Sequence, residues 1–129
     1  MQWWAHTCPP FRYDLHFLLI CNFAGGFGQF AALKTYNKDL KTMLAIGGWN
    51  EGSRRFSPLV EDRDRRQVFI KSAIRFLRQY NFDGIDLDWE YPTQRAGGRP
   101  QDRANYATFI EEMREAFQSE ADKTRKERL

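Results

Sequence analysis

Cysteine is scarce in this sequence: Cys8 and Cys21 are the only two among 129 residues. Neither falls in a CxxC pair or another metal-ligand spacing, which argues against a zinc centre. One disulfide or two free thiols both fit the count. No apolar run approaches the roughly 20 residues of a membrane-spanning helix. The run Phe17-Leu18-Leu19-Ile20 is too short for that and reads as a buried strand. No basic stretch leads into an apolar segment and a small-residue cleavage site, so no signal peptide is visible. Charge of one sign is also sparse, with a net charge of +3. The basic residues gather at Arg54, Arg55, Arg63, Arg65, Arg66 and at Lys123, Arg125, Lys126, Arg128. Acidic residues interrupt most of these runs, so they read as solvated helix faces rather than a nucleic-acid patch. There is no internal repeat, no low-complexity tract and no linker that would mark a second domain.

What remains is globular in composition: 42% hydrophobic, 29% charged and 16% aromatic residues, enough for one modest core. Residues 1–14, interrupted by Pro9-Pro10, suggest no regular structure. Residues 15–23 (LHFLLICNF) predict a buried strand, stopped by Ala24-Gly25-Gly26. Residues 27–40 form a connection with room for a helical turn. Residues 41–47 (KTMLAIG) lack clean alternation and predict a strand covered on both faces, ended by Gly47-Gly48. Residues 50–60 read as loop. A helix follows over 63–80, with Asp64 and Gln67 resembling a capping box and Ile70, Ala73, Ile74 and Leu77 forming an apolar stripe. Residues 83–89 predict another strand. A last helix over 102–121 carries Tyr106, Phe109, Ile110, Met113 and Phe117 on one face. Strands alternating with crossover helices imply parallel pairing and an α/β fold.

The stretch Asp83-Gly84-Ile85-Asp86-Leu87-Asp88-Trp89-Glu90 carries the chemistry. Side chains alternate faces along a strand, so Asp86, Asp88 and Glu90 share one face and Ile85, Leu87 and Trp89 the other. Successive acids then stand ~7 Å apart. Partly buried like charges disfavour one another's ionisation. That cost suits a general acid that must hold its proton near neutral pH. Glu90 stands where the strand meets its C-terminal loop, the end at which parallel α/β folds build active sites. A calcium loop is excluded, because the glycine follows the first Asp and the spacers are apolar. A magnesium site for phosphoryl transfer is less favoured, since no glycine-rich phosphate loop accompanies it.

Ala45-Ile46-Gly47-Gly48-Trp49-Asn50 is the second feature. Paired glycines after a strand let a ligand approach the backbone. Trp49 reaches the same rim as Glu90. Stacking on a sugar face and covering a helix end are both open to it.

These residues resemble glycoside hydrolase family 18, the chitinases and chitinase-like proteins. Asp83 to Glu90 match the family's DxxDxDxE signature in full, and Tyr91-Pro92 match its animal members. Leu44-Ala45-Ile46-Gly47-Gly48-Trp49 is similar to the family's SxGG strand, with Ala45 where Ser is usual, and Phe23-Ala24-Gly25 to the end of the preceding strand. The likeness runs from about residue 16 to the C-terminus and is closest to animal, particularly arthropod, chitinases.

The resemblance implies a (β/α)8 barrel, a retaining mechanism and chitin or chito-oligosaccharides as substrate. Glu90 would protonate the glycosidic oxygen while the substrate's own N-acetyl carbonyl attacks the anomeric carbon. Asp88 would orient that acetamido group, Asp86 would share a proton with Asp88, and Asp83 would be structural. Gly48, Trp49, Asn50, Tyr91 and Phe23 would line the sugar cleft. No second carboxylate nucleophile is needed, as family 18 departs from the two-carboxylate rule. No cofactor, metal, nucleic acid, membrane or obligate protein partner is implied.

A barrel of this kind takes about 250 residues. The expected strands correspond to the second, third and fourth, so residues 15–129 are expected to be an incomplete catalytic domain, a partial barrel. Activity is expected of the full-length parent and little of this chain alone. The family's early cysteine aligns with His16, so its disulfide is not carried over, and Cys21 falls at a buried position. The family is mostly secreted, which implies an extracellular origin. Non-hydrolytic, chitin-binding relatives typically lose the last acid of the motif. Glu90 is present, which favours hydrolysis over a lectin or an inert fragment.

Overall fold

The structure is a computed structural model that describes residues 26–129. The expected irregular segment 1–14, the strand at 15–23, Phe23, Cys8 and Cys21 lie outside the described residues. The described chain runs α1 (Gly26–Ala31), a 3-10 turn (Ala32–Thr35), β1 (Met43–Gly47), α2 (Phe56–Glu61), α3 (Arg63–Gln79), β2 (Gly84–Asp88) and α4 (Asp102–Thr124). Strands β1 and β2 pair in parallel, with Leu44 opposite Ile85, Ala45 opposite Asp86 and Gly47 opposite Asp88. This is the expected α/β order, with helices between parallel strands.

The core lies on one side of this sheet. Leu44 and Ile46 from β1 meet Phe69, Ile70, Phe76 and Leu77 from α3 and Phe109, Met113 and Phe117 from α4, with Ile85 and Leu87 packed against them. Phe69 and Phe109 meet edge to face, with centroids 5.4 Å apart, a geometry that aromatic quadrupoles favour. The expectation that β1 is covered on both faces is corrected. Leu44 and Ile46 are buried, but Met43, Ala45 and Gly47 are exposed. The reason is that all the described helices pack on the Leu44 side.

Residues 56–60, read as loop, belong to α2, which buries Phe56, Ser57, Leu59 and Val60. A six-residue helix without a side-chain N-cap leaves little periodic signal. Pro58 sits in its first turn, where the missing N–H is tolerated. The cap of α3 is Asp62, not Asp64: its carboxylate accepts from the Arg65 N–H at 2.9 Å. Gln67 donates instead to Glu112.

Arg66 is also corrected. It is not on a solvated face but 8% exposed. Its guanidinium donates to both Glu112 carboxylate oxygens, at 2.9 and 2.8 Å, and to the Val60 carbonyl at 2.8 Å. Arg78 makes a similar two-pronged contact with Glu120. These forks tie α3 to α4 with geometry a lysine could not supply. Ile110, placed on the apolar face, is part of a groove beside β2 with Ile85, Asp86 and Leu129. It stays exposed because no described element covers that edge of the sheet.

Candidate active site

Glycines bring the two strands' C-terminal ends together. Gly47 has φ 111°, and a Cβ there would stand 2.2 Å from the Asp88 carbonyl oxygen. The Gly48 N–H donates to that same oxygen at 2.7 Å. The sequence suggested that these glycines admit a ligand. What comes close to Gly47 is the neighbouring strand's own backbone, and this fixes the height of Asp88 at the rim. Gly48 has φ 90°, and a Cβ built on it would lie 3.7 Å from Asp88 Oδ2, so the Asp88 carboxylate rests beside Gly48.

Along β2 the expected alternation holds. Asp86 and Asp88 are exposed on the face away from the helices, between part-buried Ile85 and Leu87 and before buried Trp89. Glu90 follows two residues past Asp88, in a bend, and is part-exposed. The expectation that Asp86 and Asp88 are partly buried is corrected, because among the described residues nothing packs over their face. No three metal-ligating side chains converge among the described residues.

Asp83 belongs to the opposite, N-terminal end of β2. Its carboxylate accepts from the Thr42 N–H at 2.6 Å and pairs with the Lys34 ammonium at 2.6 Å. Burial alone would raise its pKa. The Lys34 and Thr42 hydrogen bonds and the Lys34 and Lys41 charges outweigh burial and hold it below the ordinary carboxylate value. The Asp83 N–H in turn donates to the Thr42 carbonyl at 2.8 Å, so this acid locks the start of β2 to the start of β1.

Trp89 anchors the segment from behind. Its ring stacks on Phe56 at 5.1 Å and meets Tyr106 edge to face at 5.4 Å. Its indole N–H donates to Ser53 Oγ at 2.9 Å, and that hydroxyl donates to the Gln94 carbonyl at 2.6 Å. Ser53 thus joins the loop after β1 to the loop after Glu90. Asp102, fully buried, is a second tie: it accepts from Ser57 Oγ at 2.6 Å and from the Thr93 and Arg99 N–H groups at 3.2 and 2.7 Å. Tyr106 donates to the Leu87 carbonyl at 3.1 Å. Burial, and then the charges of Asp86 and Asp88, push its phenol above the ordinary value, so it remains a protonated donor beneath the acids.

At the rim, Trp49 is 59% exposed, which removes the alternative that it covers a helix end. Asn50 is exposed beside it. Tyr91 is exposed in the loop after Glu90. The structure therefore gathers Gly47, Gly48, Trp49, Asn50, Asp88, Glu90 and Tyr91 at one end of the sheet, with Asp86 one step below and Asp83 at the far end. Sequence reasoning missed Ser53, Asp102 and Arg95. No local pattern announces them, because each acts through a partner distant in sequence or in a loop.

The geometry is that of a polar site at the C-terminal end of an α/β sheet, with exposed acids and an open aromatic. The chain belongs to the glycosyl hydrolases family 18, whose model matches residues 7–129. It is 52% identical over 93 residues to a Drosophila melanogaster protein described as probable chitinase 2, a match covering 72% of this chain and 19% of that one. Its structure is similar to that of an Ostrinia furnacalis Group IV chitinase in complex with allosamidin, with a TM-score of 0.70 and 42% identity over 74% of this chain and 26% of that one. It is equally similar to human YKL-39, described as a pseudo-chitinase with retained chitooligosaccharide binding, with a TM-score of 0.70 and 42% identity over 80% of this chain and 27% of that one. The chain spans about a fifth of the length of the curated relatives it matches.

Proposed function

We propose that this chain carries the acid-bearing part of a chitinase, an enzyme that hydrolyses β-1,4 linkages between N-acetylglucosamine units. The observation that supports the reading is the exposure of Asp86 and Asp88 on the open face of β2, with Glu90 two residues on and an exposed Trp49 at the same end of the sheet. Glu90, outermost, protonates the glycosidic oxygen and later deprotonates water. The substrate's N-acetyl oxygen supplies the nucleophile, giving a cyclic intermediate and net retention. Asp88 holds the acetamido N–H and balances the positive charge that develops on the ring. Asp86 shares a proton with Asp88. Asp83 is structural, and Trp49, Asn50, Tyr91 and Phe23 bind sugar.

The fold that completes this site is a (β/α)8 barrel, of which β1 and β2 supply two adjacent strands. The open acid face then becomes the barrel interior, and the sheet edge beside Ile110 meets the next strand. The 129-residue chain alone turns over substrate poorly, since Asp86 and Asp88 stand in water, where a general electrostatic contribution is weakest. An extracellular setting is inferred by family resemblance.

The test is a chimera in which residues 26–129 replace the matching segment of the Ostrinia furnacalis chitinase. It is expected to hydrolyse a chromogenic chitobioside, and Glu90→Gln is expected to slow it roughly 10²–10⁴-fold, the usual contribution of a positioned acid. Equal rates for the two would remove Glu90 from the role of acid. A chimera that binds oligosaccharide without hydrolysing it would favour the non-catalytic reading that the similarity to YKL-39 keeps in view.

A further inference from the structure

The loop after Glu90 reaches back over the loop after β1 at one point. The Arg95 guanidinium carbon lies 3.8 Å from the centroid of the Trp49 ring. The same side chain donates from Nη2 to the Trp49 carbonyl at 3.1 Å. One residue therefore holds both the ring and the backbone of Trp49. Among the described residues no carboxylate pairs with Arg95, and its side chain is held by the Trp49 ring and carbonyl.

Arg95 is itself well placed to act as a fixed support. Its backbone has φ 68°, a left-handed conformation uncommon for a residue with a side chain. The preceding carbonyl, Gln94, is held by Ser53 Oγ at 2.6 Å. Arg95 Cβ packs against Gly52, where an added Cβ would lie 3.8 Å away. On the far side, Gly97 fits so tightly on Arg54 that an added Cβ would come within 2.9 Å of its Cα. The support is thus tied to the loop that carries Trp49, although the two residues are 46 positions apart.

A guanidinium stacks on an indole face and is attracted by its quadrupole. With one face occupied, Trp49 still leaves 59% of its surface exposed. Among the described residues no other ring or cation lies over the indole, so its opposite face is free of a stacking partner. A pyranose ring would meet it there through its C–H bonds.

We propose that Arg95 is a positioning residue for Trp49, backing one face of the indole so that the other is held ready for a sugar ring. The sugar part rests on the reading of the site as a chitin cleft; the backing of the ring does not. Arg95 lies at the surface, so substitutions there leave the core intact. In the 129-residue chain, the Trp49 indole N–H is assigned by its loss in Trp49→Phe, and its order is read from the ¹⁵N heteronuclear NOE. Arg95→Ala is expected to lower that NOE to the range of a mobile side chain. Arg95→Lys, which keeps a cation but loses the planar fork, is expected to fall between.

Binding of the β-1,4-linked tetramer of N-acetylglucosamine is measured in parallel by titration. Arg95→Ala is expected to weaken it roughly two- to five-fold, as fits the worth of an exposed cation–π contact, with partial recovery in Arg95→Lys. An unchanged NOE in Arg95→Ala would overturn the proposal. So would tighter or unchanged tetramer binding, which would mean that Arg95 occupies the sugar's face or is irrelevant to it. If the unsubstituted chain binds no tetramer, the cleft reading fails for this chain, and the NOE alone decides whether Arg95 backs Trp49.

Discussion

The two faces of the β1–β2 sheet differ in nearly every respect. One carries Leu44, Ile46, Ile85 and Leu87 into contact with three helices. The other carries Met43, Ala45, Asp86 and Asp88, and no described helix reaches it. Both faces come from the same ten strand residues, sorted by parity alone. The covered face is built to hold the fold. The open face spends polar groups where they contribute little to stability, which is what a site for chemistry requires. The carboxylates that do stabilise lie elsewhere, at Asp83 and on α4, each beside a fixed cation.

That contrast can be broken by substitution. The largest effect is expected on the covered face: Ile46→Ala should cost about 2–5 kcal/mol, the range for a truncated core aliphatic, measured as a shift in the urea midpoint. A change under about 1 kcal/mol would mean that the core does not depend on β1.

Next is the α3–α4 fork. Glu112→Ala leaves the buried Arg66 guanidinium without its carboxylate. The expected loss is roughly 2–3 kcal/mol, less than for a fully buried pair because Glu112 is partly exposed. The pH dependence follows from the same contacts. The Arg66 hydrogen bond is the leading cause holding Glu112 below 4.5, and the Arg78 hydrogen bond does the same for Glu120. Lowered folded-state values mean that the unfolded chain binds more protons in acid. The stability they contribute is therefore present above pH 4.5 and is lost as pH falls from there through the folded values. Urea midpoints between pH 7 and pH 3 should fall in the unsubstituted chain, and less steeply in Glu112→Ala. Parallel slopes would contradict the assignment.

Ser53→Ala comes third. It removes the acceptor of the Trp89 indole and the donor to Gln94, both part of a buried node, for an expected loss of roughly 1–2 kcal/mol. Loss of the Trp89 near-UV circular dichroism band should accompany it; an unchanged spectrum would show that the hydroxyl does not order the ring. The smallest effects are expected on the open face, where Asp86→Asn and Asp88→Asn should each stay within about 0.5 kcal/mol. A larger loss in either would mean that the acids are structural in this chain.

Much of this division was legible in the sequence. Alternation of Asp86, Leu87, Asp88 and Trp89 gives the two faces of β2 directly, and the stripe Ile70, Ala73, Ile74 and Leu77 gives the buried side of α3. The glycine pair correctly marks the strand exit, and at Gly47 the missing side chain also makes room for the Asp88 carbonyl. Other features escaped because their causes are not local. Met43-Leu44-Ala45-Ile46 is apolar on both parities, so it cannot tell a covered face from an open one. Helix α2 is too short to show a period and holds Pro58, a residue that reads as a breaker. Arg66 looks like its exposed neighbours until Glu112, 46 residues on, reaches it. Ser53, Asp102 and Arg95 work across the two rim loops, which only the parallel pairing of β1 and β2 brings side by side.

On the function proposed above, the open face serves catalysis rather than folding. The most direct test of this is the turnover of a chito-oligosaccharide by the Ostrinia chimera before and after Asp88→Asn. A fall of at least about 100-fold is expected, the scale of a lost electrostatic stabiliser. Turnover that survives the substitution within a few-fold would contradict it.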